Sequence, residues 1–112
     1  MQPLNLSLLE SMFGDDADLR YAILQEFANS ADAYLLELEC ALGGRRPDGL
    51  RSLAHKLKSS SRTVGAVNLA DICDAMERAV PNRDWGLLEG LAVQLKQSLA
   101  EVLIFIKEFP EP

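Results

Sequence analysis

The stretch 47-PDGLRSLAHKLKSSSRTVG-65 has the pattern of an amphipathic helix. Pro47 is suited to a first helical turn, and Gly65 closes the segment. At about 100° per residue, the apolar side chains of this stretch gather on one side of the helical wheel. These are Leu50, Leu53, Leu57 and Val64. We therefore predict a helix from about residue 47 to residue 64, with that side turned toward a core.

The only histidine of the chain, His55, lies opposite this apolar side and is therefore predicted to face solvent. Four polar residues occupy neighbouring positions on the same helix: Arg51, Lys58, Ser59 and Arg62. The region 45–62 holds six basic residues and one acidic residue, whereas the whole chain has a net charge of -6. An exposed imidazole in a basic patch on an acidic protein is suited to an anion or to a partner with an acidic pocket.

The rest of the chain also has a helical period. We predict a short leading helix over 5–13, a long helix over about 16–42, a fourth from about 68 to 80, and a last one over 84–109 with Asp84 as N-cap. Gly43 and Gly44 are predicted to end the long helix. Its apolar stripe comprises Leu19, Ile23, Phe27, Tyr34, Leu38 and Leu42, widened by Leu24 and Leu35.

Amphipathic helices joined by short loops pack as antiparallel neighbours. We therefore predict an all-α fold, an antiparallel up-down four-helix bundle with a short extra N-terminal helix. The length of 112 residues, 48% of them hydrophobic, suits a single domain over residues 1–112.

Composition argues against several classes of protein. The net charge of -6 argues against a nucleic-acid binder. Two cysteines and one histidine fall short of a four-ligand zinc site or a disulfide framework. There is no apolar run of about 20 residues for a membrane span, and the N-terminal stretch lacks the pattern of a signal peptide. We expect a cytoplasmic protein without membrane insertion, and we expect Cys73 to be a core residue.

Two segments resemble a known family. The segment 55-HKLKSSSRTVGA-66 closely resembles the signature of histidine-containing phosphotransfer (HPt) domains, roughly H-x-L-K-G-S/A-S/A-x-x-hydrophobic-G-A/L. The segment 69-LADICDAME-77 is similar to the helix that follows in that family. The resemblance extends over the whole chain in size and helix order. One departure is Ser59, which stands where the family usually has glycine.

The resemblance implies a phosphocarrier without ATP-dependent kinase activity of its own. His55 would accept a phosphoryl group from a phospho-aspartate on a receiver domain and pass it to another response regulator. Lys58 would offset the charge of the phosphoryl group. Glu77, on the next helix, would accept the proton of the imidazole Nδ1 and leave Nε2 as the nucleophile.

The resemblance also implies partners and a docking surface. The partners would be receiver domains of response regulators and of a hybrid sensor kinase, with this chain as a monomer. Mg²⁺ is expected on the receiver, and no cofactor or metal is expected here. Docking residues would be Arg51, Lys56, Ser59 and Arg62, while Gly65 would pack the turn between the third and fourth helices.

Two alternatives have less support from the sequence. The phosphoacceptor domain of a histidine kinase typically has an acidic residue after its histidine and soon a proline, whereas His55 is followed by Lys56 and the next proline is Pro81. A helical adaptor that transfers no phosphate is favoured only by Ser59. Whether the chain stands alone or is a domain of a hybrid kinase stays open, although its initial Met and compact length favour the former.

Overall fold

The computed structural model describes residues 2–112, and Met1 of the predicted 1–112 domain lies outside them. Five α-helices follow one another: α1 (Leu6–Phe13), α2 (Ala17–Gly43), α3 (Pro47–Thr63), α4 (Val67–Ala79) and α5 (Trp85–Glu108). A single 3₁₀ turn, Val80–Asn82, follows α4. Within this part of the chain there is no β-strand, so the predicted all-α class is confirmed.

Local sequence signals set most of the helix ends. The side chains of Asn5, Asp16 and Asp84 each cap a helix by accepting the backbone N–H three residues later. Helix α2 continues one residue past the predicted Leu42, through Gly43, and the predicted stop at Gly44 is confirmed, since Gly44 is the C-cap. The left-handed residue that redirects the chain is instead Arg45, with φ of 53°. The residue after the C-cap of a helix often takes up a left-handed conformation, and here that residue is Arg45 rather than a glycine.

Helices α2 to α5 form a ring in which each packs against the next, and α2 also packs against α5. Contacts across the ring show antiparallel pairs, because a later residue on one helix meets an earlier residue on its neighbour. Between α3 and α4 such pairs are His55 with Glu77 and Lys58 with Asp74. Between α2 and α5, Glu39 meets Lys96, and Arg45, just after the end of α2, meets Glu89. Each of the four helices thus presents one face to the core and another to solvent.

One continuous hydrophobic core fills the ring. Its fully buried large side chains include Leu24, Leu38, Leu50, Leu57, Leu69, Met76, Leu88, Leu95 and Leu99. The predicted stripe of α2 is wrong at Leu19, which is 42% exposed, whereas Leu24 is fully buried. Phe27 and Val64 line the same cleft near the end of α3. Leu19 lies about two turns beyond Phe27 and therefore outside the reach of α3.

The N-terminal segment closes the end of the bundle over the α3–α4 turn. Leu4 and Leu9 are buried there, and the backbone N–H of Asn5 donates to the carbonyl oxygen of Gly65 at 2.8 Å. Gly65 has φ of +77°, and a Cβ at this position would lie 2.7 Å from the carbonyl oxygen of Asn5. Both the backbone conformation and the close approach therefore require glycine.

None of the helices within residues 2–112 is both long enough and apolar enough to cross a membrane.

The variant Gly65→Ala is expected to lower the free energy of unfolding by about 2 kcal/mol, because alanine disfavours a left-handed conformation and its methyl group would clash with Asn5. Gly90→Ala is the matched control, since nothing lies within 4 Å of a Cβ there. On an exposed helical site this change should raise stability by up to about 1 kcal/mol. Urea unfolding followed by circular dichroism measures both, and equal effects of the two variants would contradict the role given to Gly65.

Candidate functional site

His55 lies on the outer face of α3, and its side chain is 62% exposed. Ala54, directly before His55, and Leu57, two residues after it, are both fully buried in the core. The helical period therefore turns the imidazole outward while α3 itself stays anchored. This places a potential nucleophile where another protein can reach it.

Glu77, on α4, binds the imidazole from the inner side. The Nδ1 atom of His55 lies 2.8 Å from Oε1 and 3.1 Å from Oε2 of Glu77. Glu77 follows the buried Met76, so the turn of the helix directs it away from the centre of the core and toward α3. An ionised carboxylate can only accept hydrogen bonds, so Nδ1 must carry the proton. The neutral ring then has its lone pair on Nε2.

Lys58 lies one turn after His55, but its side chain turns toward α4 and is only 12% exposed. Its Nζ donates to Glu77 Oε1 at 3.0 Å and to Asp74 Oδ1 at 3.4 Å. The sequence predicted its position beside His55 but not these two acceptors. Glu77 therefore accepts hydrogen bonds from both Lys58 and His55.

These contacts set the charges of the site. The hydrogen bond from Lys58, followed by that from His55, holds the pKa of Glu77 below its ordinary value of 4.5. The hydrogen bond to Glu77 raises the pKa of Lys58 above its ordinary value of 10.5. At neutral pH Glu77 is therefore an anion and Lys58 a cation. The anionic Glu77 accepts the hydrogen bond from Nδ1 of His55.

Asp74 is the residue of this cluster that sequence reasoning missed. Besides Lys58, it binds Arg78, whose Nε lies 3.1 Å from Asp74 Oδ2. The result is a chain of alternating charges that runs from Arg78 through Asp74, Lys58 and Glu77 to the imidazole. A signal for Asp74 was available, because an antiparallel pair that aligns residue 55 with residue 77 also aligns 58 with 74.

The predicted docking residues surround His55 on the outside of α3. Arg51, Lys56, Ser59 and Arg62 are all exposed. Arg51 and Lys56 line a shallow, open depression together with His55, Glu77, Asp48 and Ser52. Arg62 and Ser59 lie on the other side of His55 along the helix and do not contribute to this depression. The surface around His55 is therefore open, with positive charge on both sides of the imidazole.

Neither cysteine takes part in the hydrogen bonds of this cluster. Cys73 is buried in the core, and burial raises the pKa of its thiol to about 12. Cys40 is exposed on α2. Among residues 2–112 no group of three or more His, Cys, Asp or Glu side chains is arranged to hold a metal ion.

The variant Glu77→Gln is expected to destabilise the fold at neutral pH, because Lys58 and His55 both lose an anionic partner. Since the folded state holds the pKa of Glu77 below 4.5, the contribution of its charge is complete above that pH. It is lost as the pH falls through the lower, folded-state pKa. Urea unfolding measured from pH 7 to pH 2 should show that the free energies of unfolding of the wild type and the variant become equal in the acid range.

Glu101→Gln, at an exposed site on α5, is the matched control for the loss of one carboxylate. Its difference from the wild type should be smaller at neutral pH. If the difference in free energy of unfolding between Glu77→Gln and the wild type grows below pH 4.5, the ion pair between Glu77 and Lys58 is contradicted.

Comparison with known proteins gives a family and two similar structures. A family model described as Hpt domain matches residues 22–104. A crystal structure of the histidine-containing phosphotransfer protein B (HptB) from Pseudomonas aeruginosa PAO1 is similar, with 27% identity and a TM-score of 0.87. That alignment covers 95% of this chain and 92% of the other.

A second solved structure has the same fold. The HPT domain of a sensor hybrid histidine kinase from Shewanella is 22% identical, with a TM-score of 0.83 and coverage of 95% of this chain and 92% of that one. A search of curated proteins gave no significant match. The family match extends over most of the chain and includes all of α3 and α4. The chain therefore belongs to the Hpt domain family, the histidine phosphotransfer proteins of phosphorelays.

Proposed function

We propose that His55 is the residue that carries the phosphoryl group. The observation that supports this most directly is the hydrogen bond between Nδ1 and Glu77 at 2.8 Å on an imidazole that is otherwise open to solvent. Nδ1 is occupied as a donor, so the lone pair of Nε2 is the available nucleophile. In the neutral ring with its proton on Nδ1, Nε2 carries no proton and can attack without the help of a base.

The proposed reaction moves one phosphoryl group and leaves all other atoms in place. The lone pair of Nε2 attacks the phosphorus of an aspartyl phosphate on a receiver domain. The P–N bond forms while the P–O bond to the aspartate breaks, and the free carboxylate is regenerated. The imidazole, now substituted on Nε2 and protonated on Nδ1, becomes positively charged. Glu77 stabilises that charge through the hydrogen bond already present. The reverse reaction delivers the group to another receiver.

The open surface around His55 supports transfer between proteins. In-line phosphoryl transfer depends mainly on positioning and on charge stabilisation. We propose that the receiver supplies Mg²⁺ and its own acidic pocket, while this chain supplies the nucleophile and the cationic groups near it. It would thus act as a carrier without ATP-dependent kinase activity, and it would need no cofactor of its own.

Charge complementarity supports a docking role for the residues around the imidazole. Arg51, Lys56 and Arg62 are exposed on the same helix as His55, with Ser59 between them. Their positive charge suits the acidic phosphorylation pocket proposed for a receiver. The partners proposed are receivers of response regulators and of a hybrid sensor kinase. The one continuous core supports a single-domain carrier over residues 1–112, and we propose that it acts as a monomer.

Transfer from a ³²P-labelled phospho-receiver in the presence of Mg²⁺ is expected to label the wild type. The label should be labile in acid and stable in base, as a phosphoramidate is. His55→Gln, with unchanged circular dichroism, should take up no label. A wild type that stays unlabelled with a whole panel of receivers would instead favour the adaptor function.

The variant Ser59→Gly is expected to retain phosphorylation, because Ser59 is exposed and no hydrogen bond joins its hydroxyl to His55. A glycine there would also remove a side chain one turn from the imidazole. Labelling time courses with the same receiver measure the rate of transfer to each protein. Complete loss of transfer to Ser59→Gly would show that the hydroxyl takes part in the reaction.

A further inference from the structure

Lys58 is shared between two carboxylates, of which only one contacts His55. Its Nζ lies 3.0 Å from Glu77 Oε1 and 3.4 Å from Asp74 Oδ1. The two acidic residues are three positions apart on α4, so they face α3 together. With only 12% of its side chain exposed, Lys58 has its ammonium group held against α4.

We propose that Asp74 is a positioning residue that competes with the phosphoryl group on His55 for the ammonium group of Lys58. In the unphosphorylated protein Asp74 holds Lys58 toward α4. In the phosphorylated protein Lys58 exchanges Asp74 for the phosphoryl oxygens. Asp74 thereby weakens the hold of this site on the phosphoryl group. The inference rests on the proposed function, in that His55 is taken as the phosphorylated residue.

The geometry favours an exchange at Asp74 rather than at Glu77. The contact of Lys58 with Asp74 is the longer of the two, and an ammonium group on a flexible stem has three donors to distribute. Lys58 can therefore keep Glu77 while it turns one donor outward. Glu77 must stay in place, because it also holds Nδ1 of His55.

Arg78 lowers the free-energy cost to Asp74 of losing its contact with Lys58. Its Nε binds Asp74 Oδ2 at 3.1 Å, on the carboxylate oxygen that Lys58 does not contact. When Lys58 leaves, Asp74 still has a cationic partner and is not left as an unpaired charge. The four charged groups thus have two arrangements in which each anion is paired.

A carrier that both accepts and releases the same group benefits from such a competitor. A phosphoryl group adds nearly two negative charges, and an unrestrained lysine beside it would favour the phosphorylated state. By holding that lysine back, Asp74 raises the free energy of the phosphorylated state relative to the unphosphorylated one. Transfer onward to a second receiver then starts from a less stable phosphohistidine.

The test uses the intact chain phosphorylated on His55 with potassium phosphoramidate, so that it needs no receiver. The ³¹P chemical shift is followed against pH to obtain the pKa of the phosphoryl group. Asp74→Asn frees Lys58, and a closer cation favours the dianion. The phosphoryl pKa should fall by about half a unit relative to the wild type, an approximately threefold change in proton affinity.

Two matched comparisons isolate the route of the effect. Asp71→Asn removes the same charge from the same helix, one turn earlier and at an exposed site, and it should change the phosphoryl pKa less. In a Lys58→Met background, the effect of Asp74→Asn should shrink to that of Asp71→Asn, because the residue through which it acts is gone.

Equal shifts for the two aspartate variants, or a full Asp74→Asn shift in the Lys58→Met background, would overturn the role of Asp74. A wild type that is phosphorylated by phosphoramidate but by no receiver would refute the proposed function alone, and the comparison of variants would still decide the inference. Failure of phosphoramidate to modify His55 would refute both.

Discussion

Glu77 accepts hydrogen bonds from Lys58 and from His55 at the same time, and the chemistry of the site depends on that shared carboxylate. Lys58 lowers the pKa of Glu77, and the ionised carboxylate accepts the hydrogen bond from the N–H at Nδ1. In the neutral ring this hydrogen bond leaves the lone pair on Nε2, and Lys58 acts on the imidazole through Glu77 without binding it. The same carboxylate joins α3 to α4, so one side chain both links the two helices and orients the imidazole.

Much of this arrangement follows from sequence because it depends on local rules. The 3.6-residue period places His55 opposite Leu50 and Leu57, whatever the neighbouring helices are. Capping residues such as Asp84 and a first-turn Pro47 begin helices through contacts within a few residues. For Glu77, the resemblance to HPt domains supplied an expectation that periodicity alone did not.

The remainder depends on how helices align with one another, which a single helix does not encode. Whether Lys58 points outward or toward α4 depends on which α4 residues lie opposite it, and that alignment brings Asp74 into the site. Leu19 has the spacing of a core residue, but its neighbouring helix ends before reaching it. Gly43 is helical, and the chain changes direction two residues later, at Arg45.

All the groups of the charge network lie between residues 55 and 78, on two consecutive helices joined by a turn of three residues. The long helices α2 and α5 support the core but contribute none of these groups. Substitutions on the outer faces of α2 and α5 can therefore change which other proteins or domains contact the bundle. They leave the charge network around His55 unchanged. The segment 55–78 can stay constant while the sequences of α2 and α5 diverge. The chemistry of such a carrier and its choice of partners can therefore evolve separately.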